Sequence, residues 1–282
     1  MTPDVRLTQT LKRRLRNGDW VYVSGAGQLV VLSNETVEKL NSIDLLEERT
    51  VEELIGSGIL TKDIETNVKK KSLRKEPDGG IFKAACLIMT VFGSLALILS
   101  LVFMALYGFP FVSAAEAMLN NPIKFMVIAV GTSIVSTMMH ELMHIVFSTN
   151  VLRIDFNIKK SVATVPLTHV WTWSLLGRVS AITSGLSLDA VILLLTFYIP
   201  HENGELFSII SAVMLTRILW QFRITQSTDI NILFRFLFDN PFLFEDLNRR
   251  QTFLAKIVSF IGTLAIVVAW MLPLINKMLQ IT

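Results

Sequence analysis

Long apolar runs alternate with short polar segments over the C-terminal two thirds of the chain. Each run approaches or exceeds the roughly 20 residues that a helix needs to cross the hydrocarbon core of a bilayer. The pattern predicts a mainly α-helical, polytopic membrane bundle of five to six spans. The clearest runs cover residues 84–108, 123–149, 175–199, 206–222 with Arg217 inside it, and 257–276.

The N-terminal region has shorter periodic segments. Residues 19–32 alternate as two strand-like runs around a Ser-Gly-Ala-Gly turn, which predicts a β-hairpin. Ser33 or Asn34 can cap a following helix. Thr50 can cap a second helix, with Glu53 at the third position of a capping box. These elements predict a small α+β, winged-helix-like domain.

The spacing of apolar residues changes after residue 150 from one typical of helices to one typical of strands. Apolar residues from Leu152 to Ile158 alternate with polar ones, and a second extended run at 162–173 can pair back on them. Strand edges cannot face lipid with their polar groups unpaired, so we predict a membrane-associated β-hairpin at the interface or beside a wet cavity. His169 in this region, and His201 further on, are interpreted as interfacial polar residues rather than metal ligands.

Composition supports a membrane protein, because 52% of the residues are hydrophobic and 17% are charged. Residues 1–80 hold 13 of the 26 Lys and Arg residues and 13 of the 23 Asp and Glu residues. This shift predicts a boundary near Gly79 and Gly80, between an N-terminal domain at 1–80 and a transmembrane domain at 81–282. The net charge of +3 gives no reason to expect nucleic acid as a partner.

A basic cluster between Lys69 and Lys75 precedes the first apolar run. By the positive-inside rule, residues 1–80 are therefore expected in the cytoplasm, attached to a multi-pass domain in the cell membrane. Cys86 is the only cysteine and lies in an apolar run, which excludes an internal disulfide. We interpret it as a small buried hydrophobic residue.

The second apolar run contains His140 and His144, four residues apart, with Glu141 directly after the first. On a helix both imidazoles point from the same face, one turn apart, and can bind one metal ion. The glutamate stands where zinc hydrolases of the His-Glu-x-x-His type keep the carboxylate that accepts a proton from water. Residues 125–139 and 145–149 carry no charge, and ionisable groups in such a run are costly. A metal site is therefore favoured over a structural polar cluster.

A third protein ligand is needed if zinc is to keep a fourth position for water. Asp229 is the candidate, because it follows a polar break at 221–229 and begins a new apolar run. The alternative is an ordinary helix cap supplied by Thr228 or Asp229. Asp189 is another carboxylate inside an apolar segment and is predicted to serve the site or to be paired. Its helix carries small residues at four-residue intervals, predicted to allow close packing: Gly177, Ala181 and Gly185.

Together these segments resemble the site-2 protease family of intramembrane zinc metalloproteases, over roughly residues 81–280. The His-Glu-x-x-His helix and the strand region that follows it match the order found in that family. The family's Gly-Pro-x-x-Asn helix start corresponds to residues 185–189, with Leu for Pro and Asp189 for Asn. Its Asn-x-x-Pro run leading to Leu-Asp-Gly corresponds to residues 221–230, with Gln221 for Asn, Ile for Pro and Ile for the final Gly.

The resemblance implies Zn²⁺ bound by the two motif histidines and Asp229, with Glu141 as the general base. It also implies substrate-positioning roles for Asp189 and Gln221, and a peptide or membrane-protein substrate. The altered motifs are more similar to the divergent branch that accompanies bacteriocin, pheromone and modified-peptide systems than to the family members that cleave anti-sigma factors. The N-terminal domain loosely resembles leader-peptide recognition domains, which add an extended leader to a sheet edge. The alternative for that domain is a cap without a peptide partner.

The expected function is an intramembrane zinc metalloendopeptidase that cleaves a membrane-associated precursor or peptide within the lipid bilayer. One alternative is a non-catalytic peptide-binding membrane protein, such as an immunity or export accessory with a degenerate site. Retention of Glu141 argues against it, because a binding protein needs no general base. Another alternative is a membrane zinc enzyme that acts on a different bond, such as a relative of the prenyl-protein proteases. The strand region and the distal aspartate fit that class less well.

Overall fold

The computed structural model is predominantly helical, with small antiparallel sheets near the N-terminus. The predicted mainly helical class is therefore confirmed for the described part of the chain. That part comprises residues 5–25, 27–40, 46–62, 74–148, 155–157, 162–164, 167–198, 204–223, 228–245 and 247–281.

The N-terminal region, where described, contains short strands and two short helices. In chain order these are β1 (Arg6–Leu7), β2 (Thr10–Arg14), β3 (Trp20–Ser24), β4 (Leu29–Leu32), α1 (Asn34–Leu40), α2 (Glu48–Gly56) and β5 (Leu60–Thr61). Strands β2, β3 and β4 form one antiparallel sheet in that order, and β1 pairs with β5. The predicted hairpin is confirmed as β3 and β4, since Trp20 lies opposite Leu32. The charged strand β2, at the edge of this sheet, was not predicted.

The two helices of this region differ in how well their starts were predicted. The Ser33 side chain accepts a backbone N–H three residues further on at 3.2 Å, which confirms it as the cap of α1. The cap predicted at Thr50 is wrong, because α2 begins at Glu48 without a side-chain cap. An acidic residue in the first turn favours this earlier start through the helix dipole. Glu53, predicted to complete a capping box, accepts a hydrogen bond from Arg49 at 3.2 Å instead.

The remaining described helices include the membrane-type ones. They are α3 (Gly80–Tyr107), α4 (Phe111–Asn120), α5 (Pro122–Phe147), α6 (Leu175–Thr196), α7 (Gly204–Gln221), α8 (Asp229–Phe238) and α9 (Arg249–Ile281). In the described part, four helices are long and apolar enough to cross a membrane, namely α3, α5, α6 and α9. This fits a membrane protein, while the number of five to six spans stays a prediction.

Helix α6 lies at the centre of the helical region. Its most apolar stretch is 61% buried, against 22% for α3 and 11% for each of α5 and α9. Gly93 of α3 lies directly against Ser187, and the hydroxyls of Thr90 and Ser180 are 2.9 Å apart, so the two helices approach closely. Helices α5, α7 and α8 also pack on α6. Helix α6 is therefore the scaffold on which α3, α5, α7 and α8 are placed.

The predicted interfacial hairpin is extended only in part. Strand β6 (Asp155–Asn157) pairs antiparallel with β7 (Val162–Thr164), which confirms the pairing. The extended run predicted to continue to residue 173 is wrong at its end, because Thr168–Thr172 forms a 3-10 helix. Trp171 is buried in it, and periodicity alone cannot separate so short an apolar run from a helical turn. Residues 151–154, 158–161 and 165–166 of the predicted hairpin lie outside the described residues.

Candidate metal centre

The motif histidines and glutamate lie near the C-terminal end of α5. This helix begins after Asn121, whose side chain accepts a first-turn backbone N–H at 3.0 Å, and it continues through Phe147. His140, Glu141 and His144 are 3%, 8% and 3% exposed. An unbroken helix places both imidazoles on one face, one turn apart, as the spacing predicts.

Asp229 joins these histidines from α8, of which it is the first residue. Its Oδ2 atom lies 2.9 Å from His140 Nε2 and 3.5 Å from His144 Nε2, and the two Nε2 atoms are 3.1 Å apart. The cap of α8 is Thr228, whose side chain accepts the N–H of Asn231 at 3.4 Å. Because Thr228 supplies the cap, the carboxylate of Asp229 is left to face the histidines.

The spacing of these three atoms fits a small tetrahedral cation. Ligand bonds of about 2.0–2.1 Å separate neighbouring ligand atoms by roughly 3.3 Å in such a site. His144 Nδ1 donates to the backbone carbonyl of Ala181, and His140 Nδ1 donates to Asp189 Oδ2, both at 2.8 Å. Hydrogen bonds of this kind orient the rings and leave both Nε2 atoms as acceptors. His140, His144 and Asp229 could therefore hold a metal ion.

A glycine of α6 allows His140 to take this position. A Cβ atom at Gly185 would lie 2.6 Å from the Cδ2 and Nε2 atoms of the His140 ring. A carbon contact well inside the 3.5–4.0 Å optimum is strongly repulsive, so a side chain there would displace the imidazole. The small-residue stripe of α6 was predicted only to allow close helix packing. In the structure it also leaves room for the His140 imidazole at Gly185 and supplies the Ala181 carbonyl that orients His144.

Two residues predicted to position a substrate contact the ligand residues. Asp189 is 0% exposed and accepts the hydrogen bond from His140. Gln221 accepts the backbone N–H of Asp229 through its Oε1 atom at 3.1 Å. Asp189 therefore has the pairing predicted for it, and Gln221 holds the start of α8. Their part in positioning a substrate stays a prediction.

Sequence reasoning missed Arg217 as a member of this centre. Its Nη1 atom donates to Thr137 Oγ1 at 2.5 Å, and its Nη2 atom lies 3.5 Å from Asp189 Oδ2. Thr137 precedes Glu141 by one turn on the same face of α5. The guanidinium therefore places positive charge beside the motif. The signal that could have identified it is the same one that identified Asp189, a charge inside an apolar helix.

His169 has a different environment from the motif histidines. Its Nε2 atom donates to the Ser148 carbonyl at 2.9 Å, and its ring packs edge-on against Trp173 with the ring centroids 5.5 Å apart. Burial lowers the pKa of His169, so the ring is neutral at pH 7. It secures the end of α5 and is not part of the ligand group. His201 lies outside the described residues.

The centre as a whole combines two imidazole nitrogens and a carboxylate oxygen with a buried glutamate next to them. Such a group can hold a cation and place a proton acceptor beside it. Comparisons with protein-family models, with curated proteins and with solved structures find no significant match, so the chemistry of these side chains is the guide to function.

Proposed function

We propose that the chain is an intramembrane zinc metalloendopeptidase whose site resembles that of the site-2 proteases. The proposal is carried by the meeting of His140 Nε2, His144 Nε2 and Asp229 Oδ2 within 2.9–3.5 Å of one another. Two imidazoles and one carboxylate are the donor set of hydrolytic zinc sites, in which the fourth position is left for water. Burial of Glu141 directly beside the ligands supports a catalytic role over passive metal binding.

Zinc held by these ligands would activate a water molecule and polarise the peptide carbonyl. Glu141 takes the proton from the attacking water and delivers it to the nitrogen of the leaving amine. A carbon–oxygen bond forms as the peptide carbon–nitrogen bond breaks. Asp189 holds His140 in the orientation that ligation requires, and the Arg217 guanidinium, 3.5 Å from Asp189, supplies positive charge next to that carboxylate.

The proposed substrate is a membrane-associated precursor or peptide, as in the maturation of a bacteriocin, pheromone or modified peptide. A helical substrate hides its carbonyls in hydrogen bonds, so the segment to be cleaved must become extended. Strand β7 contacts α5 and pairs with β6, and their main-chain groups suit the addition of an extended segment. The basic cluster between Lys69 and Lys75 supports a cytoplasmic location for residues 1–80 of this multi-pass protein.

Metal content is the direct test of this proposal. Protein purified in detergent is expected to hold about one zinc ion per chain. His140→Ala and His144→Ala each remove one ligand and are expected to abolish stoichiometric zinc. His169→Ala is the matched control, because that ring donates to a backbone carbonyl, and it should keep the metal. Elemental analysis after gel filtration gives the result, and a wild type that neither holds nor takes up zinc would overturn the proposal.

Gly185→Ala is expected to weaken zinc binding by about tenfold or more, the size of effect seen when the surroundings of a ligand are disturbed. The added methyl group would stand where the His140 ring now lies. Gly131→Ala in α5 is the control, since a Cβ there meets nothing within 4 Å. Alanine at that position should favour the helix by about 0.5–1 kcal/mol. Competition with a chelator measures the zinc affinity of both variants. Equal affinity would show that the position of the His140 ring does not depend on Gly185.

A further inference from the structure

The N-terminal domain is joined to the far end of α8 by a buried cluster of charges. Asp239 follows the last residue of α8 in the left-handed conformation, with φ 57° and ψ 33°. It is 5% exposed. Arg13 of strand β2 donates to both carboxylate oxygens of Asp239, at 2.6 and 3.1 Å. Arg178 of α6 donates to the same carboxylate at 2.6 Å, and the Arg16 backbone N–H does so at 3.0 Å.

Apolar contacts accompany these hydrogen bonds. Trp171 packs edge-on against Phe236 in the last turns of α8, with ring centroids 4.7 Å apart. Leu15 and Val21 of the N-terminal domain are buried in the same hydrophobic cluster. The Arg13 Nε atom also donates to the Trp171 carbonyl at 2.8 Å. The domain is thus joined both to α8 and to the 3-10 helix beside it.

The charge of Asp239 makes this junction sensitive to loss of a partner. Burial acts to raise the pKa of Asp239, but hydrogen bonds from Arg13 and Arg178 outweigh it and hold the pKa at about 2. The carboxylate is therefore ionised at all physiological pH values. Arg13→Ala removes two hydrogen bonds to the Asp239 carboxylate and leaves those from Arg178 and the Arg16 backbone N–H. Hydrogen bonds between charged groups are among the stronger ones, so the end of α8 is expected to be held less firmly without Arg13.

Helix α8 transmits such a movement over a short distance. It has 10 residues, and its first residue is the proposed zinc ligand Asp229. At 1.5 Å per residue the helix is about 15 Å long, so it acts as a short rigid rod. Gln221 and Thr228 hold its first turn, and the cluster around Asp239 holds its other end. Displacing one end of a rod of this length changes the position of the other.

We propose that the N-terminal domain is a positioning element of the metal centre, in which Arg13 holds Asp239 and thereby sets the place of Asp229 at the opposite end of α8. This inference rests on the proposed zinc site. It gives the domain a regulatory role as well, because a ligand that shifts β2 must change zinc affinity, and zinc must change the affinity for that ligand by the same factor. Arg13 and Asp239 are positioning residues, since neither contacts the zinc ligands.

The rate of zinc release from the full-length protein tests this coupling. Arg13→Ala is expected to lose zinc to a chelator at least about tenfold faster than the wild type, as for other residues that support metal ligands. Arg49→Ala is the control in the same domain, because its side chain is 89% exposed and is hydrogen-bonded to Glu53 in the next turn of α2. It should release zinc at the wild-type rate. Arg13→Lys keeps the positive charge and should release zinc more slowly than Arg13→Ala.

Two further measurements separate positioning from general loss of folding. In protein loaded with cobalt(II), the absorption bands report ligand geometry, and they should shift in Arg13→Ala at temperatures at which circular dichroism shows that variant to be folded. Asp239→Asn is the second variant. If Arg13→Ala does not fold, the zinc release and cobalt spectra of Asp239→Asn test the same contact from the carboxylate side. The double variant of Arg13→Ala with Asp239→Asn should release zinc no faster than Asp239→Asn alone, because in this proposal Arg13 acts on α8 through Asp239.

The inference is overturned if Arg13→Ala and Asp239→Asn both release zinc at the wild-type rate with unchanged cobalt spectra. That result would leave the proposed function intact, since the wild type would still bind zinc. Failure of the wild type itself to bind zinc would refute the proposed function and this inference together. The two failures are therefore distinguished by the zinc content of the wild type.

Discussion

Glu141→Gln is expected to slow peptide cleavage by a factor of about 100 or more while zinc stays bound. Glutamine keeps the size and hydrogen-bonding capacity of the side chain but cannot accept a proton from water. Glu141 is 8% exposed, so bulk water has little access to replace it as the proton acceptor. Membranes that carry each variant with a co-expressed candidate precursor, followed by a gel shift, provide the measurement. The zinc content of the same preparations shows whether the site is intact.

Glu116→Gln is a suitable control for this experiment. Glu116 lies 3.5 Å from Lys277 and its side chain is 52% exposed, so its replacement should leave processing unchanged. A Glu141→Gln variant that processes the precursor like the wild type would exclude a zinc peptidase. The peptide-binding alternative, an immunity or export accessory with a degenerate site, would then be favoured.

Asp229→Asn is expected to lower zinc occupancy and activity together. A neutral amide is a poor ligand for a dication compared with a carboxylate. Because Asp229 Oδ2 lies 2.9 Å from His140 Nε2, the loss should exceed the roughly 10–100-fold effect that residues outside the ligand shell produce. Zinc titration with a competing chelator measures the affinity, and the gel shift measures processing. The joint loss distinguishes a ligand from a proton acceptor such as Glu141.

The control for Asp229→Asn makes the same chemical change at an exposed position. Asp78 is exposed and lies just before α3, so Asp78→Asn should bind zinc normally. Unchanged zinc affinity in Asp229→Asn would mean that the third ligand lies elsewhere in the chain. The proposed mechanism would then lose the carboxylate on which the donor set depends.

The motif on α5 could be predicted because helix geometry alone determines its arrangement. Once an apolar run predicts a helix, two histidines four residues apart must lie on one face. Helix geometry alone could not predict Asp229, since it lies far from the motif along the chain. The chemical need for a third ligand and the polar break before Asp229 identified it, and the family resemblance pointed to the same residue. Local pattern and ligand chemistry therefore sufficed for the three residues that the structure brings together.

Contacts between helices could not be predicted in the same way. The pattern predicted that the small residues of α6 allow close packing, but not that Gly185 would lie against His140. Arg217 and Asp189 are on different helices, and hydropathy does not determine how those helices are rotated toward each other. The pairing of Arg13 with Asp239 joins two ends of the chain. Such contacts depend on tertiary packing, which a single sequence leaves open.

Tertiary contacts also explain one prediction that was wrong and one strand that was not predicted. Strand β2 carries three charged residues, and it forms because it pairs along one edge with β3. The side chain of Arg13 is used in the junction with α8 and is therefore only 19% exposed. The 3-10 helix at Thr168–Thr172 forms where Trp171 packs on Phe236. In both places, burial against a distant element overrode the preference of the local sequence.

The two motif histidines differ in how easily mutation can disturb their orientation. His144 donates to a main-chain carbonyl at residue 181, and every amino acid supplies that acceptor. His140 donates to the side chain of Asp189, which a single nucleotide change can convert to another residue. The acceptor atom that orients His144 is thus present whatever residue stands at 181, whereas the acceptor of His140 is lost with the Asp189 side chain. Lineages that drift toward an inactive form should therefore lose the His140 half of the centre first.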